Sequence, residues 1–279
     1  MDRTFQTSDG AHLVYSVTGE GSPLLLLPGW SQSAAMFRNQ IDTFSKSHRV
    51  IALDFRGHGQ SADADHGYRV SRFARDVHEL LDHEEIASLS ALGWSMGASV
   101  LWSYIDLFGT ARLRSLIFVD EPAAVMHQPG MDDEAVADAG AIFDATSLGA
   151  IAAQIVGADG ASVREAFVGS MVTKAIDPAL HRWIVAENLR VTPQAAASLL
   201  IDHASLDWRD IFRRIDRPVL VFGGMVSHVS VRSQRWIASQ IADVELVITN
   251  AEDGGAHFMF LERPEPFNAA VARFLSRRD

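Results

Sequence analysis

The sequence contains no cysteine, and it also lacks any long apolar segment. Without cysteine there are no disulfide bridges, thiolate nucleophiles or cysteine-ligated metal sites, and nothing points to an oxidising compartment. No apolar run approaches the roughly 20 residues that a membrane-spanning helix needs. Residues 1–10 are polar and lack the apolar stretch of a signal peptide. Together these absences predict a soluble, cytoplasmic protein.

Basic residues are also in short supply. The chain has 24 Lys and Arg against 35 Asp and Glu, for a formal net charge of −11, and its tight basic cluster, Arg277-Arg278, is terminal. Proteins bind nucleic acid and anionic membranes through clustered Lys and Arg that replace counterions. We therefore expect neither nucleic acid nor membrane as a partner.

The remaining composition is that of a folded protein. Hydrophobic residues make up 48% of the 279 positions and charged residues 21%, which is typical of globular rather than disordered chains. At about 150 residues per domain the length suggests two domains, but α/β folds of this size often form one domain with an insertion.

Short apolar runs alternate along the chain with stretches of helical spacing. The run Pro23-Leu-Leu-Leu-Leu27 suits a parallel strand that is covered on both faces. This alternation predicts an α/β fold, with a mostly parallel central sheet and helices on both faces. The predicted strands are His12–Val17, Pro23–Pro28, Val50–Asp54, Leu89–Trp94, Leu116–Asp120, Val219–Phe222 and Val244–Ile248, and the predicted helices include Val70–His83, Ala98–Phe108, Val231–Ile241 and Pro264–Leu275.

The pattern changes between residues 123 and 211, where alanine is frequent and strand-like runs are scarce. Asp177-Pro178 and Thr192-Pro193 each indicate a helix start, because proline suits the first helical turn. We expect a helical cap at 123–211, inserted into a core domain formed by 1–122 and 212–279.

The segment Gly93-Trp-Ser-Met-Gly97 fits the G-x-S-x-G pattern between a predicted strand and a predicted helix. A sharp turn at this point needs small flanking residues, and it lifts the serine hydroxyl above the sheet edge. Ser95 is therefore the candidate nucleophile.

A serine nucleophile needs a base, because a free hydroxyl is hardly ionised at neutral pH. His257 is the best candidate, since it follows a turn and lies well after Ser95, in the order expected for hydrolases of this kind. His58 follows a strand and is interpreted as structural. The oxyanion of a tetrahedral intermediate would be bound by the backbone N–H groups of Met96 and Trp30.

These segments resemble the α/β-hydrolase superfamily over nearly the whole chain. The matching pieces are Leu25-Leu-Leu-Pro-Gly-Trp30, Asp54-Phe-Arg-Gly-His-Gly-Gln-Ser61, Gly93-Trp-Ser-Met-Gly97, Leu116–Asp120, Arg217–Gly223 and Gly255-Ala-His-Phe258. Within the superfamily the chain looks like the cofactor-free haloperoxidase, esterase and enol-lactonase branch. The resemblance implies hydrolysis of a small hydrophobic ester or lactone through an acyl-serine intermediate, without a cofactor or a metal. It leaves open whether the chain is a homodimer.

One departure from the family concerns the acid that orients the histidine. Most relatives carry it in the loop after the strand that here is Val219–Phe222, but residues 225–235 contain no carboxylate. A minority carry it one strand earlier, where this chain has Asp120, and we predict that Asp120 orients His257. Glu121 is the alternative through a one-residue slip, and Glu252 and Asp253 are further alternatives on the histidine's own loop.

The early position of the acid keeps a second chemistry open. Cofactor-independent 2,4-dioxygenases of quinolone-type heterocycles are relatives with the same Pro-Gly-Trp loop and a His-Asp pair of this type, although they typically show Ser-His where this chain has Ser95-Met96. A third hypothesis is a non-catalytic small-molecule receptor on the same fold.

Aromatic residues near the predicted site and in the cap indicate an apolar pocket with few polar groups, as is usual for small-molecule sites. The candidate pocket residues are Trp94, Trp183, Trp208, His228 and Phe258.

Overall fold

A computed structural model describes residues 2–278, which form one mixed sheet flanked by helices. The strands are β1 (Asp2–Gln6), β2 (His12–Thr18), β3 (Ser22–Leu27), β4 (His48–Leu53), β5 (Leu89–Trp94), β6 (Leu113–Val119), β7 (Val219–Gly224) and β8 (Val244–Thr249). The helices are α1 (Arg38–Phe44), α2 (Val70–His83), α3 (Met96–Phe108), α4 (Asp133–Ala139), α5 (Ala145–Val156), α6 (Gly160–Gly169), α7 (Pro178–Asn188), α8 (Pro193–Ala204), α9 (Val231–Ser239), α10 (Met259–Glu262) and α11 (Pro264–Leu275), and short 3-10 helices lie at Ala34–Phe37 and Phe212–Arg214.

The sheet follows the order β1-β2-β4-β3-β5-β6-β7-β8. β1 and β2 pair antiparallel, as do β2 and β4, whereas the strands from β4 through β8 in this order pair in parallel. The α/β class with a mostly parallel sheet is thus confirmed. β1 is a strand that the sequence pattern did not reveal.

Both faces of the sheet are covered, and β3 shows why its run of leucines is needed. Leu25 and Leu27 belong to the apolar cluster that contains α2 and α3, while Leu24 and Leu26 belong to the cluster that contains α1 and α11. Side chains alternate between the faces of a strand. A strand buried on both faces therefore has to be apolar at every position.

The chain order reverses between β3 and β5, which are neighbours although β4 lies between them in sequence. At such a switch point the loops after the two strands leave a crevice at the carboxyl ends, where ligands of α/β sheets bind. Trp30 lies in the loop after β3 and Ser95 in the turn after β5, so both are at this crevice.

Helices α4 to α8 all lie between β6 and β7 in sequence. Hydrogen bonds join this insertion to the sheet domain: Trp30 Nε1 donates to Ala196 O at 2.8 Å, and Arg190 donates to Gly59 O at 2.6 Å. Within residues 2–278, no helix is both long enough and apolar enough to cross a bilayer.

Candidate active site

Ser95 lies on a tight turn between β5 and α3. Its φ of 53° and ψ of −130° define a backbone conformation that residues other than glycine rarely adopt. A Cβ at Gly93 would come within 2.4 Å of the Gly97 backbone, and a Cβ at Gly97 would come within 2.2 Å of Leu27 O. The two glycines are therefore required by close contacts between backbone segments, as the motif predicted.

Neighbouring strands hold this turn from two sides. The Ser95 N–H donates to Val119 O at 2.8 Å, which ties the turn to the end of β6. On the β3 side, a Cβ at Gly29 would lie only 3.1 Å from Ser95 Cβ. The backbone of the Pro28-Gly29-Trp30 loop therefore approaches the serine closely.

Met96 is the first residue of α3. Its amide N–H therefore has no acceptor within the helix and lies at the positive end of the helix dipole. The structure thus places both peptide segments from which oxyanion donors were predicted beside Ser95.

Asp120 and His257 form a hydrogen-bonded pair. Asp120 follows β6, is fully buried, and its Oδ2 lies 2.7 Å from His257 Nδ1. The His257 ring is held in turn through its backbone, because its N–H donates to Met171 O and its carbonyl accepts from Trp94 Nε1, both at 3.0 Å.

The loop after β7 has no carboxylate, yet it contacts the acid. Ser227 Oγ donates to Asp120 Oδ2, and the Gly224 N–H donates to Oδ1 at 3.3 Å. Ser227 was missed by the sequence reasoning, which searched this loop for an acid and assigned its hydroxyl no role. The available signal was a serine three residues after Gly223-Gly224, near the position where the acid was expected.

Burial dominates the ionisation of these groups. It raises the pKa of Asp120, while the charge of His228 and the Ser227 and Gly224 hydrogen bonds act in the opposite direction. Burial lowers the pKa of His257 to about 4. The imidazole is therefore neutral at pH 7, and its Nδ1 faces Asp120.

No described hydrogen bond joins the other candidate acids or His58 to His257. Glu121 pairs with Ser99 and His203, while Glu252 and Asp253 are exposed. His58 is fully buried, with its Nδ1 2.9 Å from Arg56 O, in keeping with its structural interpretation.

Backbone strain is concentrated at this site. Among the described residues, positive φ outside glycine occurs at Ser31, Glu85, Ser95 and Asp120. Ser31 follows Trp30 in the β3 loop, so three of these four positions adjoin the Ser95 turn. Such conformations cost about 1–3 kcal/mol each and persist where the surrounding structure enforces them, often in active sites.

Ser95 and His257 both line one cavity, whose remaining wall is largely apolar. The cavity has a volume of about 40 Å³, which is enough for a few water molecules. Trp30, Trp94, His228 and Phe258 lie in its wall, and the His228 ring is 4.5 Å from that of His257. The insertion contributes residues that the sequence reasoning did not single out, namely Phe143, Phe167, Met171, Leu200 and His203.

Two predicted pocket residues, Trp183 and Trp208, are not among the described residues that line the cavity. The Arg38 guanidinium lies 4.4 Å above the Trp183 ring, and the Trp208 ring packs 6.4 Å from that of Trp102. Contact of these two tryptophans with substrate stays a prediction, and the aromatic side chains that the insertion contributes to the cavity wall are Phe143 and Phe167.

Comparisons with known proteins agree with this architecture. The chain is 31% identical over 146 residues to the non-heme chloroperoxidase CPO-A1 of Kitasatospora aureofaciens, a match that spans only 52% of each chain. It superposes on the esterase RhEst1 of Rhodococcus sp. ECU1013 with a TM-score of 0.83 at 26% identity, covering 100% of this chain and 99% of that one. The enol-lactonase of Burkholderia xenovorans LB400 matches with a TM-score of 0.84 at 21% identity over 98% of this chain and 100% of that one, which shows the shared fold.

A family model described as the alpha/beta hydrolase fold matches residues 22–264, from the start of β3 to the start of α11. The resemblance drawn from the motifs is confirmed, and the chain belongs to the alpha/beta hydrolase fold family.

Proposed function

We propose that the protein is a serine hydrolase that cleaves esters or lactones of small hydrophobic substrates through an acyl-serine intermediate. The observation that carries the proposal is the opening of Ser95 and His257 into one apolar cavity, with Asp120 bonded to the far side of the imidazole. Serine hydrolysis requires a nucleophile, a base that can take its proton and an acid that orients the base, and the placement of these three residues supports the proposal.

In the first half-reaction, His257 Nε2 takes the proton from Ser95 Oγ as the oxygen attacks the acyl carbon. Asp120 keeps the imidazole in the tautomer with its proton on Nδ1 and stabilises the imidazolium that forms. The N–H groups of Met96 and Trp30 bind the developing oxyanion. The leaving alcohol then receives the proton from His257, which leaves an acyl ester on Ser95.

In the second half-reaction, His257 removes a proton from a water molecule that attacks the acyl-serine. The tetrahedral intermediate collapses to the free acid, and the proton returns from His257 to Ser95 Oγ. No cofactor or metal takes part in the proposed sequence. Helices α4 to α8 act as the cap that shields these steps from solvent, through the residues they contribute to the cavity wall.

Turnover of 4-nitrophenyl butyrate by Ser95→Ala tests the mechanism. We expect kcat to fall by about 10⁴ or more, and we expect an organophosphonate to add its mass to the wild type but not to this variant. Ser103→Ala makes the same chemical change at a buried serine within α3 and serves as the matched control. Undiminished turnover by Ser95→Ala would contradict the serine mechanism.

The Asp120–His257 pair also favours a second candidate, the cofactor-independent dioxygenase, because its acid follows the same earlier strand. In that chemistry the histidine would deprotonate the organic substrate, which then reacts with O₂. An oxygen electrode with 3-hydroxy-4-quinolone separates the two: uptake that persists in Ser95→Ala supports the dioxygenase, and none is expected for the hydrolase. Binding of esters without turnover would support a receptor.

A further inference from the structure

A second polar group lies on the wall of the same cavity. Glu121 and His203 both line it, and they are only 3% and 5% exposed. Glu121 Oε1 accepts from His203 Nε2 at 2.6 Å and from Ser99 Oγ at 2.8 Å. Although Glu121 adjoins Asp120 in sequence, its side chain belongs to a separate pair.

This pair has hydrogen-bonding capacity that the described residues do not use. A carboxylate offers about four acceptor sites on two oxygens, and both side-chain bonds of Glu121 go to Oε1, none of those described to Oε2. His203 Nδ1 is likewise buried without a partner among residues 2–278. An acceptor without a described protein donor, on the wall of an apolar cavity, favours a substrate group that donates a hydrogen bond to it.

The position of the pair relative to Ser95 limits where that group lies on the substrate. Ser99, which bonds to Glu121, lies in the first turn of α3, directly after the turn that carries Ser95. Ser95 and Glu121 line the same small cavity, which has a volume of about 40 Å³. An acyl chain attached to Ser95 Oγ and bound in this cavity therefore lies beside the carboxylate.

We propose that Glu121, held by His203 and Ser99, binds a hydroxyl group of the substrate, so that hydroxyacyl esters and hydroxylated lactones are preferred over their plain analogues. The proposal rests on the proposed hydrolase function. A hydroxyl can donate a hydrogen bond to Glu121 Oε2 while His203 and Ser99 hold Oε1 in place. A methyl or ether group has no proton to donate, and a substrate carboxylate would be repelled by Glu121.

The test compares 4-nitrophenyl 3-hydroxybutyrate, as each enantiomer, with 4-nitrophenyl butyrate. The two esters share a leaving group and a chain length, so the ratio of their kcat/KM values isolates the hydroxyl. We expect the wild type to favour one hydroxy enantiomer by about tenfold or more, as for a hydrogen bond to a charged group. The 3-methoxybutyrate ester should lose this preference, which tests the inference without any variant.

Glu121→Gln should remove the discrimination between the 3-hydroxy and 3-methoxy esters. Its amide oxygen would keep the Ser99 and His203 hydrogen bonds, and the NH₂ that replaces Oε2 can donate to a hydroxyl or to an ether oxygen alike. Glu84→Gln is the matched control. Glu84 is another largely buried carboxylate, which directly follows α2, binds Arg3 and Arg49, and is not among the residues that line the cavity. This variant should retain the wild-type ratio.

Several outcomes overturn the inference alone: a wild-type ratio of one or less, equal wild-type rates for the methoxy and hydroxy esters, or a preference for the hydroxy over the methoxy ester that Glu121→Gln leaves unchanged. An equal loss of about 10⁴ on both esters in Glu121→Gln would do so too, because it would place Glu121 with His257 in the chemistry. If butyrate is cleaved in a Ser95-dependent manner without a hydroxyl preference, the proposed function stands. If the wild type cleaves neither ester and resists the phosphonate, both fail together.

Discussion

At the scale of single residues, the Asp120 carboxylate that bonds to His257 is itself held by a distant part of the chain. The carboxylate directly follows β6, whereas two of its hydrogen-bond donors come from the last residue of β7, Gly224, and from the loop after it, Ser227, 104 and 107 residues later. Asp120 could be predicted because the β7 loop lacks an acid. The donors could not, since a contact over such a separation depends on the register of β6 against β7.

Changes at Asp120 and Ser227 should have graded effects on ester hydrolysis. Asn at position 120 offers an amide where His257 Nδ1–H needs an acceptor, so Asp120→Asn should lower kcat by about 10⁴. Ser227→Ala removes one donor to the buried carboxylate and should lower kcat by roughly 10- to 100-fold. Steady-state kinetics with 4-nitrophenyl butyrate measures both.

Glu121→Gln is the comparison for this series, and it should retain far more of kcat on the plain butyrate ester than Asp120→Asn does. The opposite order, with Asp120→Asn close to wild type and Glu121→Gln near inactive, would make Glu121 the orienting acid.

His58 links stability to pH. Burial lowers its pKa to about 4, from 6.5, and its Nε2 has no partner among the described residues. Between these pH values the unfolded chain binds a proton at this position that the folded chain does not. The free energy of unfolding therefore falls as pH falls, by up to about 1.4 kcal/mol per pH unit from this residue.

His58→Gln removes this proton uptake, so its free energy of unfolding should depend less steeply on pH than that of the wild type. Urea unfolding at about pH 4.5 and about pH 7.5 measures the two slopes. Parallel slopes for wild type and variant would show that His58 binds its proton equally in the folded and the unfolded chain, which would contradict the lowered pKa.

At the scale of elements, the predictions succeeded where burial imposed a strong pattern. β5 and α2 have the predicted bounds, because their apolar positions are set by a covered sheet and by a single buried face. β1 was missed because it is an edge strand in which only Phe5 is buried. The cavity wall was predicted in part, since helix packing in the insertion decides that Phe143 and Phe167 face it.

Replacing glycine by alanine should have opposite effects on stability in two helices, because the glycine of α3 lies in the strand-turn-helix element around Ser95 and packs against β3, whereas the glycine of α5 is open to solvent. A Cβ at Gly97 of α3 meets Leu27 O at 2.2 Å, whereas a Cβ at Gly149 of α5 has nothing within 4 Å. Gly149→Ala should therefore raise the free energy of unfolding by about 0.5–1 kcal/mol. Gly97→Ala should lower it by about 2 kcal/mol or more and displace Ser95.

Denaturant unfolding and ester kinetics on these two variants check the expectation. The close approach of β3 to the Ser95 turn would be refuted if Gly97→Ala were as stable and active as the wild type.

At the scale of the whole molecule, the insertion and the sheet domain share one apolar cluster. Val77 of α2 and Leu116 of β6 belong to the same cluster as Ile155 of α5 and Leu199 of α8. A division of the chain into cap and core, as read from composition, therefore does not imply two independently stable units. The sequence shows where the helices are inserted, but their shared core depends on tertiary packing.

We expect the insertion and the sheet domain to unfold together, although chains of this length often populate intermediates. The lack of cysteine in all 279 residues allows a direct measurement, because one introduced thiol is the sole reporter. Ala196→Cys reports on α8 and Ala74→Cys on α2, and both alanines are fully buried. Their thiols should become reactive at the same urea concentration, since exposing either requires loss of the common cluster. Labelling of position 196 well below the concentration that exposes position 74 would show instead that the insertion opens first, as a separate cap.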